Sequence, residues 1–206
     1  SLIAARLTLE GPAGNGSWMV SGRRTYMEPI LSAIRNDSTE VPSYYFYDLN
    51  AKFNQDLDDR NKVTASGYFG RDDLNFDLDE GSFINIRWGN TALKGKWTHL
   101  FSPALIGSMV FAGTKYTSET NLSLFETPIL FSNSIRDLTF EADLDYFASS
   151  AHSVSAGVLA SRYDFEFRQE FNQELQLDLV EEPFLFSVYL QDQWQAGDAT
   201  TVRMGL

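Results

Sequence analysis

Hydrophobic residues along this chain mostly alternate with polar ones, which is the period-two pattern of β-strands whose two faces meet different surroundings. One such segment places apolar side chains on one face, at Tyr45, Tyr47, Leu49, Ala51 and Phe53. The opposite face of that segment turns polar partway along, at Asp48, Asn50 and Lys52. A second segment behaves in the same way, with Leu138, Phe140, Ala142, Leu144 and Tyr146 facing away from Thr139, Glu141, Asp143 and Asp145.

Counting these runs predicts ten meandering strands and an all-β, antiparallel fold. The strands are expected at residues 2–10, 17–26, 43–56, 61–75, 83–101, 105–116, 134–148, 153–167, 184–195 and 201–206. The pattern leaves the two faces of strand 105–116 open. There Ile106, Val110 and Ala112 compete with Leu105, Met109 and Phe111 for the apolar side.

The links between the predicted strands alternate between short and long. The short links are rich in Gly, Asp, Ser or Pro and fall at residues 11–16, 57–60, 102–104, 149–152 and 196–200. The long links fall at 27–42, 76–82, 117–133 and 168–183, and residues 27–35 within the first are expected to form a short helix. Strict alternation puts every long link at one end of the sheet, an asymmetry typical of outer-membrane β-barrels.

Composition narrows the class of protein. No stretch of eighteen apolar residues exists, although 43% of residues are hydrophobic, so a transmembrane helix is not expected. The net charge of −12 makes a nucleic-acid partner improbable, and the absence of cysteine removes thiolate metal sites and disulfides. No linker or composition break divides the chain, and we therefore expect one domain over residues 1–206.

A membrane-spanning sheet is favoured over a soluble β-sandwich or barrel. Many runs exceed the roughly 5 to 6 residues usual for soluble strands and reach the roughly 9 to 11 that cross a bilayer. Aromatic residues near strand ends suit a membrane interface; these candidates are Trp18, Tyr45, Tyr47, Trp97, Phe101 and Trp194, with Tyr44 beside them. Polar residues on the other face suit a water-filled lumen; these candidates are Arg23, Asp48, Asn50, Lys52, Lys94, Lys96, Glu141, Asp143 and Asp145.

Candidate chemistry is sparse. His99 and His152 lie beside short links without a nucleophile or metal motif around them, and no phosphate-binding or hydrolase motif occurs. The acids at 141, 143 and 145 lack the glycine and terminal glutamate of a calcium loop, so they are interpreted as lumen wall. We expect Arg23 to pair with a neighbouring acid. The sequence therefore predicts no enzyme activity, no metal site and no cofactor.

An ordered set of segments resembles TonB-dependent outer-membrane receptors, particularly the forms of Bacteroidetes-like bacteria. The segments are LTLEGPAGNGS (7–17), GSWMVSGRRTY (16–26), FYDLNAKFN (46–54), SGYFGRDDLNF (66–76), WGN (88–90), KWTHLFS (96–102) and VYLQDQW (188–194). This resemblance implies a 22-stranded barrel filled by an N-terminal plug. Because no plug, TonB-contacting segment or terminal aromatic strand is recognisable here, we expect a barrel fragment that forms an open, curved sheet.

The resemblance also implies a function. It indicates part of a bacterial outer-membrane importer that takes up a siderophore, cobalamin or glycan with energy from an inner-membrane TonB system. Its partners would be outer-membrane lipid, the TonB system and that unidentified solute, with no nucleic acid among them. Two alternatives stay open: a small self-contained barrel acting as a passive pore or surface protease, and a soluble β-sheet binding module.

Overall fold

The computed structural model describes residues 3–27, 41–79 and 81–206. These residues form eleven β-strands in one antiparallel sheet, and they include no helix that is long and apolar enough to span a membrane. The strands are β1 (Ala4–Ala13), β2 (Gly16–Thr25), β3 (Ser43–Asp56), β4 (Asn61–Asp79), β5 (Ser82–Ser102), β6 (Leu105–Leu124), β7 (Thr127–Phe147), β8 (His152–Phe171), β9 (Glu174–Glu181), β10 (Phe184–Gly197) and β11 (Thr200–Gly205).

The sheet is a meander in which each strand from β1 to β8 pairs with the next one along the chain. β9 and β10 then pair with the same edge of β8, at residues 165–171 and 152–162 respectively. β9 and β10 therefore follow each other along one edge of β8. The pairing is interrupted at Pro183, because proline has no N–H to donate to the ladder. The carbonyl of Pro183 still accepts a hydrogen bond of 2.9 Å from the backbone N–H of Tyr163.

The all-β antiparallel class and the open sheet are confirmed, but three of the four predicted long links are wrong. Residues 76–82, 117–133 and 168–183 belong mostly to strands, so that β4, β6, β7 and β8 run beyond their predicted bounds and β9 is an additional strand. The bounds of β5 agree with the prediction to within one residue. The fourth link contains the predicted helix over 27–35, which lies almost wholly outside the described residues. The five links predicted to be short are short, as between Gly197 and Thr200.

The missed hairpins close through turns that carry no sequence signature. Phe125 and Glu126 connect β6 to β7, and Asn172 and Gln173 connect β8 to β9. All four have positive φ, between 50° and 66°. Two consecutive residues of positive φ form the type I′ turn that suits strand twist, and Asn-Gly is its usual signal. Phe125, Glu126 and Gln173 are residue types that rarely adopt this conformation, so the sequence does not predict these turns.

The turn between β3 and β4 is more conventional. The Asp58 carboxylate accepts hydrogen bonds of 2.8 Å from the backbone N–H groups of Arg60 and Asn61. These bonds, led by the one from Arg60, hold the pKa of Asp58 below its usual value. The end of the sheet that carries this turn is called the Asp58 end below, and the opposite end, with the turn at Glu126, is called the Glu126 end.

The described residues form a single layer without a conventional core. Among the described residues only Val41 and Val110 are buried hydrophobic residues. The accessible surface is 13806 Å², whereas a compact soluble monomer of this mass exposes about 9,700 Å². β1 and β11 each have one partner strand in the described sheet, so the sheet does not close on itself.

The register also settles the two faces of β6. Met109 and Phe111 lie on the face of Trp97 and Phe140, whereas Val110 lies between Lys96 and Glu141 on the other. The face that bears Trp18, Phe53, Leu93, Phe111 and Leu138 is called the Trp18 face, and the face that bears Asp48, Lys52, Lys94, Glu141 and Asp143 is called the Lys52 face.

Replacing Gln173 by glycine (Gln173→Gly) is expected to raise the free energy of unfolding by about 0.5–1 kcal/mol, because glycine adopts a φ of 65° without steric cost. Gln176→Gly in the neighbouring strand is the matched control and is expected to lower it by a similar amount. Urea unfolding of the full-length protein in lipid vesicles measures both. Destabilisation by Gln173→Gly would show that the turn is not strained.

Candidate functional site

All nine candidate lumen residues lie on the Lys52 face. Lys52, Ser66 and Lys94 occupy neighbouring positions of one hydrogen-bonded row, and Lys96 lies in the next row opposite Thr64. The three lysine side chains are exposed. The structure therefore places polar and charged groups together across β2 to β7, although it does not gather them into one compact cluster.

Arg23 pairs with Asp48, as expected. Its Nε donates to Oδ2 of Asp48 at 2.6 Å, and its guanidinium lies 4.6 Å from the ring centroid of Phe46. Asn50 also donates to Asp48, at 3.3 Å. Arg23 is thus held by an acid on one side and an aromatic ring on the other, which fixes the direction of its charge.

The three acids of β7 are engaged in different ways. Asp143 accepts a hydrogen bond of 2.8 Å from the Tyr189 hydroxyl, and Asp145 accepts one of 2.6 Å from Ser155. Glu141 lies opposite Val110 and Leu159. Across the described residues, no three His, Cys, Asp or Glu side chains are placed to hold a metal ion. The interpretation of these acids as lumen wall stays a prediction.

Gly157 makes the Tyr189–Asp143 hydrogen bond possible. Tyr189 on β10 reaches across β8 to Asp143 on β7, and the ring passes directly over Gly157. A Cβ atom at Gly157 would overlap both the tyrosine ring and the carboxylate. A glycine is therefore required where one side chain links three strands.

The Trp18 face carries a continuous apolar band in the half of the sheet nearer the Asp58 end. On β7 the band runs from Leu138 to Tyr146, which is about 26 Å along the strand. Its large side chains point outwards uncovered: Leu138 is 67% exposed, Phe111 is 62% exposed and Leu49 is 49% exposed. Leu49, Phe53 and Leu144 are all exposed rather than enclosed, so this face does not form the sealed interior of a soluble β-sandwich.

The tryptophans on this face follow a line that is oblique to the hydrogen-bonded rows. The row of Trp18 reaches β10 at Phe186, after seven steps between neighbouring strands. Trp194 lies eight residues further along β10 towards the Asp58 end. With about 3.3 Å per residue and about 4.8 Å per strand, the line is inclined by about 40° to the rows. If one membrane surface contains both tryptophans, the strands cross it at the tilt of outer-membrane barrels.

The other interfacial candidates divide between the two margins of the band. Trp97 and Phe101 lie at the Asp58 margin, where their rings flank His99 at 5.5 and 4.5 Å. Tyr45 and Tyr47 lie on the same face near the opposite margin, next to Asp73 and Arg71. Tyr44 lies on the Lys52 face instead and does not belong to this group, because adjacent residues of a strand point to opposite faces.

Both histidines lie at the Asp58 margin, as expected for interfacial residues. Nδ1 of His99 is 2.7 Å from Oδ1 of Asn61, and Nδ1 of His152 is 2.8 Å from Oδ2 of Asp192. The His152 ring stacks on Trp194 with a centroid separation of 6.1 Å. Among the described residues, neither imidazole ring is hydrogen-bonded to a serine, threonine or lysine side chain. Ser149 Oγ instead accepts a hydrogen bond of 3.1 Å from the backbone N–H of His152.

The two faces exchange character towards the Glu126 end, a feature that the sequence analysis missed. There the Lys52 face becomes apolar and carries an aromatic surface, defined by the half-buried residues Tyr44, Phe46, Trp88, Tyr116, Tyr163 and Phe165. Tyr44 stacks on Trp88 with a centroid separation of 6.3 Å, and its hydroxyl donates to Asp72 at 2.6 Å. Tyr163 stacks on Phe165 at 5.8 Å.

The sequence did contain a signal for this surface. Ile84, Ile86 and Trp88 alternate with polar residues, and Tyr163 and Phe165 do the same on β8. These residues lie in or beside segments that were interpreted as loops, so their period of two was not used. Arg23 and Phe46 connect the aromatic surface to the charged lumen candidates, since the Arg23 guanidinium contacts both Phe46 and Asp48.

Comparison with known proteins adds the fold family. No protein-family model and no curated protein matches the chain. Solved structures do match it. The ferripyoverdine receptor of the outer membrane of Pseudomonas aeruginosa, bound to ferripyoverdine, gives a TM-score of 0.76 at 9% identity, over 98% of this chain and 34% of the receptor. The chain has the fold of a TonB-dependent receptor barrel.

Other receptors give the same result for this receptor-type sheet. The ferric yersiniabactin uptake receptor from Yersinia pestis matches 98% of it with a TM-score of 0.63 and 10% identity, over 36% of its own length. An outer-membrane transporter from Escherichia coli matches 98% with a TM-score of 0.65 and 11% identity, over 33% of its length. The receptor-type sheet thus spans about a third of these structures. At these identities the likeness is one of fold.

Replacing Phe111 by arginine (Phe111→Arg) is expected to lower the free energy of unfolding in lipid vesicles by about 2–4 kcal/mol, because the charge would enter the middle of the apolar band. The matched control is Thr114→Arg on the same strand, whose exposed side chain lies on the Lys52 face. We expect the control to stay within about 0.5 kcal/mol of the unsubstituted protein. Equal losses from both variants would contradict contact between the Trp18 face and lipid.

Replacing Gly157 by alanine (Gly157→Ala) is expected to lower the free energy of unfolding by about 1–3 kcal/mol, because the new methyl group displaces Tyr189 from Asp143. Gly95→Ala is the control, since nothing lies within 4 Å of a Cβ at that position. Urea unfolding in vesicles compares the two. If both variants unfold alike, the three-strand bridge contributes nothing to stability.

Proposed function

We propose that this chain is a single barrel segment of a bacterial outer-membrane receptor that imports a scarce solute. The supporting observation is the exposed apolar band of the Trp18 face, whose tryptophan line corresponds to strands tilted by about 40°. A lipid bilayer covers such a band, whereas in water it would remain exposed. The receptor-barrel fold supports the same placement.

The aromatic surface is proposed to contact the solute. It lies on the face that would enclose the lumen, beyond the level of the apolar band, at the Glu126 end. Tyr44 and Trp88 stack on each other, and Phe46 adjoins the Arg23 cation. Half-buried rings beside a fixed positive charge suit a solute that combines a flat apolar group with a negative charge.

Ferric chelates are the first solutes to test. The solved receptors that share this fold include ones named for ferripyoverdine, ferric yersiniabactin and ferric citrate. Cobalamin and glycans are the other classes that the family resemblance implies. In the full-length protein, energy for release of the solute into the periplasm would come from an inner-membrane TonB partner acting through a plug.

The alternative of a small self-contained barrel is less well supported. Such a barrel requires its first and last strands to pair, yet β1 pairs with β2 and β11 pairs with β10 in the described sheet. A soluble β-sheet module is less well supported as well, because none of the described residues forms a second layer on the Trp18 face. A surface protease would need a histidine near the Glu126 end, whereas both histidines lie at the Asp58 end.

Replacing Tyr44 by alanine (Tyr44→Ala) in the full-length protein is expected to weaken binding of its ferric chelate by about three- to tenfold, since one stacked ring is worth about 0.5–1.5 kcal/mol. Tyr45→Ala is the matched control, because it removes a tyrosine side chain from the next residue of β3, which lies on the opposite, Trp18 face. Equilibrium binding of a panel of ⁵⁵Fe-labelled siderophores to outer-membrane fractions measures the change. Equal weakening by both variants would reject the aromatic surface as the binding site.

Uptake tests the function itself. Cells that carry the full-length protein should accumulate the labelled iron, and deletion of the inner-membrane energy transducer should abolish accumulation while leaving surface binding unchanged. Accumulation without the transducer would indicate a passive pore. A full-length protein that stays monomeric in water without detergent would reject the membrane placement.

A further inference from the structure

Two cations lie in direct register on the Trp18 face. Lys115 on β6 is the Cα partner of Arg136 on β7, and both side chains are exposed. Like charges directly opposite each other destabilise an antiparallel pair. Within the described part of the chain, neither residue forms an ion pair with a carboxylate. The fold therefore holds two positive charges together with no ion pair to either of them from the described residues.

Two of the three acids near this pair have close donors of their own. Asp73 is held by Arg87 at 3.2 Å and lies 3.8 Å from Arg71. Glu119 accepts a hydrogen bond of 3.0 Å from Asn121. The remaining neighbour, Asp164 opposite Arg136, lies 3.7 Å from Arg162. Asp164 is thus shared by two arginines, and the row Lys115–Arg136–Asp164 keeps a net positive charge that an external anion would balance.

The position of the pair defines what kind of anion fits. Lys115 and Arg136 lie two residues beyond Gly113 and Leu138, at the margin of the apolar band nearer the Glu126 end. Lys115 also lines a polar cavity of about 450 Å³ together with Arg71 and Arg87. This cavity adjoins an apolar groove of about 1030 Å³ on the same face.

The apolar groove begins at Gly113 and Leu138, one row from the cations, and extends over the middle of the band. Its walls include Phe53, Leu93, Phe111, Leu138 and Phe140, and its floor includes Gly67, Gly95 and Gly113. Nothing lies within 4 Å of a Cβ at Gly95, so the floor is open there. The groove therefore lies next to the two cations, and Arg162 also lines it. An apolar groove beside cations is complementary to a molecule with acyl chains and an anionic head group.

We propose that Lys115 and Arg136 bind the phosphate of an anionic, acyl-chain lipid in the membrane leaflet nearer the Glu126 end. The lipid's acyl chain would occupy the groove at Gly95 and Gly113, while its phosphate accepts charge-assisted hydrogen bonds from both cations and so relieves their repulsion. Arg71 and Arg87 extend the site for a larger head group. This inference rests on the membrane placement proposed above.

The test uses the full-length protein in neutral detergent, titrated with dimyristoyl phosphatidylglycerol. We expect the anionic lipid to raise the thermal unfolding midpoint, and dimyristoyl phosphatidylcholine and inorganic phosphate to have little effect. In the double variant K115Q/R136Q the lipid should bind about tenfold more weakly. Without lipid, this variant should unfold at the same or a higher temperature than the unsubstituted protein, because the repulsion between the cations is gone.

The matched control is R60Q/K62Q, which removes the same charge at the Asp58 end and should bind the lipid normally. Equal effects of the two lipids, or undiminished binding by K115Q/R136Q, would reject the site. Inorganic phosphate as effective as the lipid would reject the lipid as the occupant. These outcomes differ from a failure of the membrane placement, in which the full-length protein would be monomeric and soluble without detergent.

Discussion

The backbone hydrogen-bond ladder is the interaction on which this structure depends. With a single layer and only two buried hydrophobic residues in the described chain, side-chain packing cannot hold the strands together as it does in a globular domain. Each of β4 to β8 has nineteen to twenty-one residues and instead pairs with neighbouring strands along both of its edges. Every one of these backbone groups must be satisfied within the sheet wherever lipid replaces water.

Because the ladder uses only backbone groups, the polarity of the side chains can differ between the two faces and along the length of each strand. Near the Asp58 end, the Trp18 face is apolar and the Lys52 face is charged. Beyond the band the assignment reverses, with Arg71 and Arg87 outside and Tyr44 and Trp88 inside. The proposed membrane placement accounts for this reversal, since lipid would cover one face only over the height of the bilayer and the same face would meet water above it. A single strand such as β5 thus carries both environments.

Links between side chains across several strands stiffen the sheet locally. Tyr189 reaches Asp143 over Gly157, and Arg23 connects Asp48 to Phe46. Both lie on the Lys52 face, where the solute is proposed to pass. The uncompensated pair of Lys115 and Arg136 lies on the opposite face and contributes repulsion rather than stiffness. Its neighbourhood fits an interface with lipid, whereas the Arg23 network fits an interface with the lumen.

The sequence by itself determined which residues share a face, because side chains alternate with a period of two that no tertiary contact changes. It therefore placed Asp48, Lys94 and Asp143 together and Trp18 and Trp194 opposite them. Only the tertiary structure decided where strands end. The turns at Phe125 and Asn172 lack a glycine signal and exist because neighbouring strands fix their register.

The pairing between neighbouring strands produces features that alternation along a single strand does not predict. The aromatic surface at Trp88 and the opposition of Lys115 to Arg136 both depend on which residue of one strand meets which residue of the next. A shift of register by two residues would preserve every face and separate both pairs. Periodicity fixes the direction of a side chain, but pairing between strands fixes its neighbours.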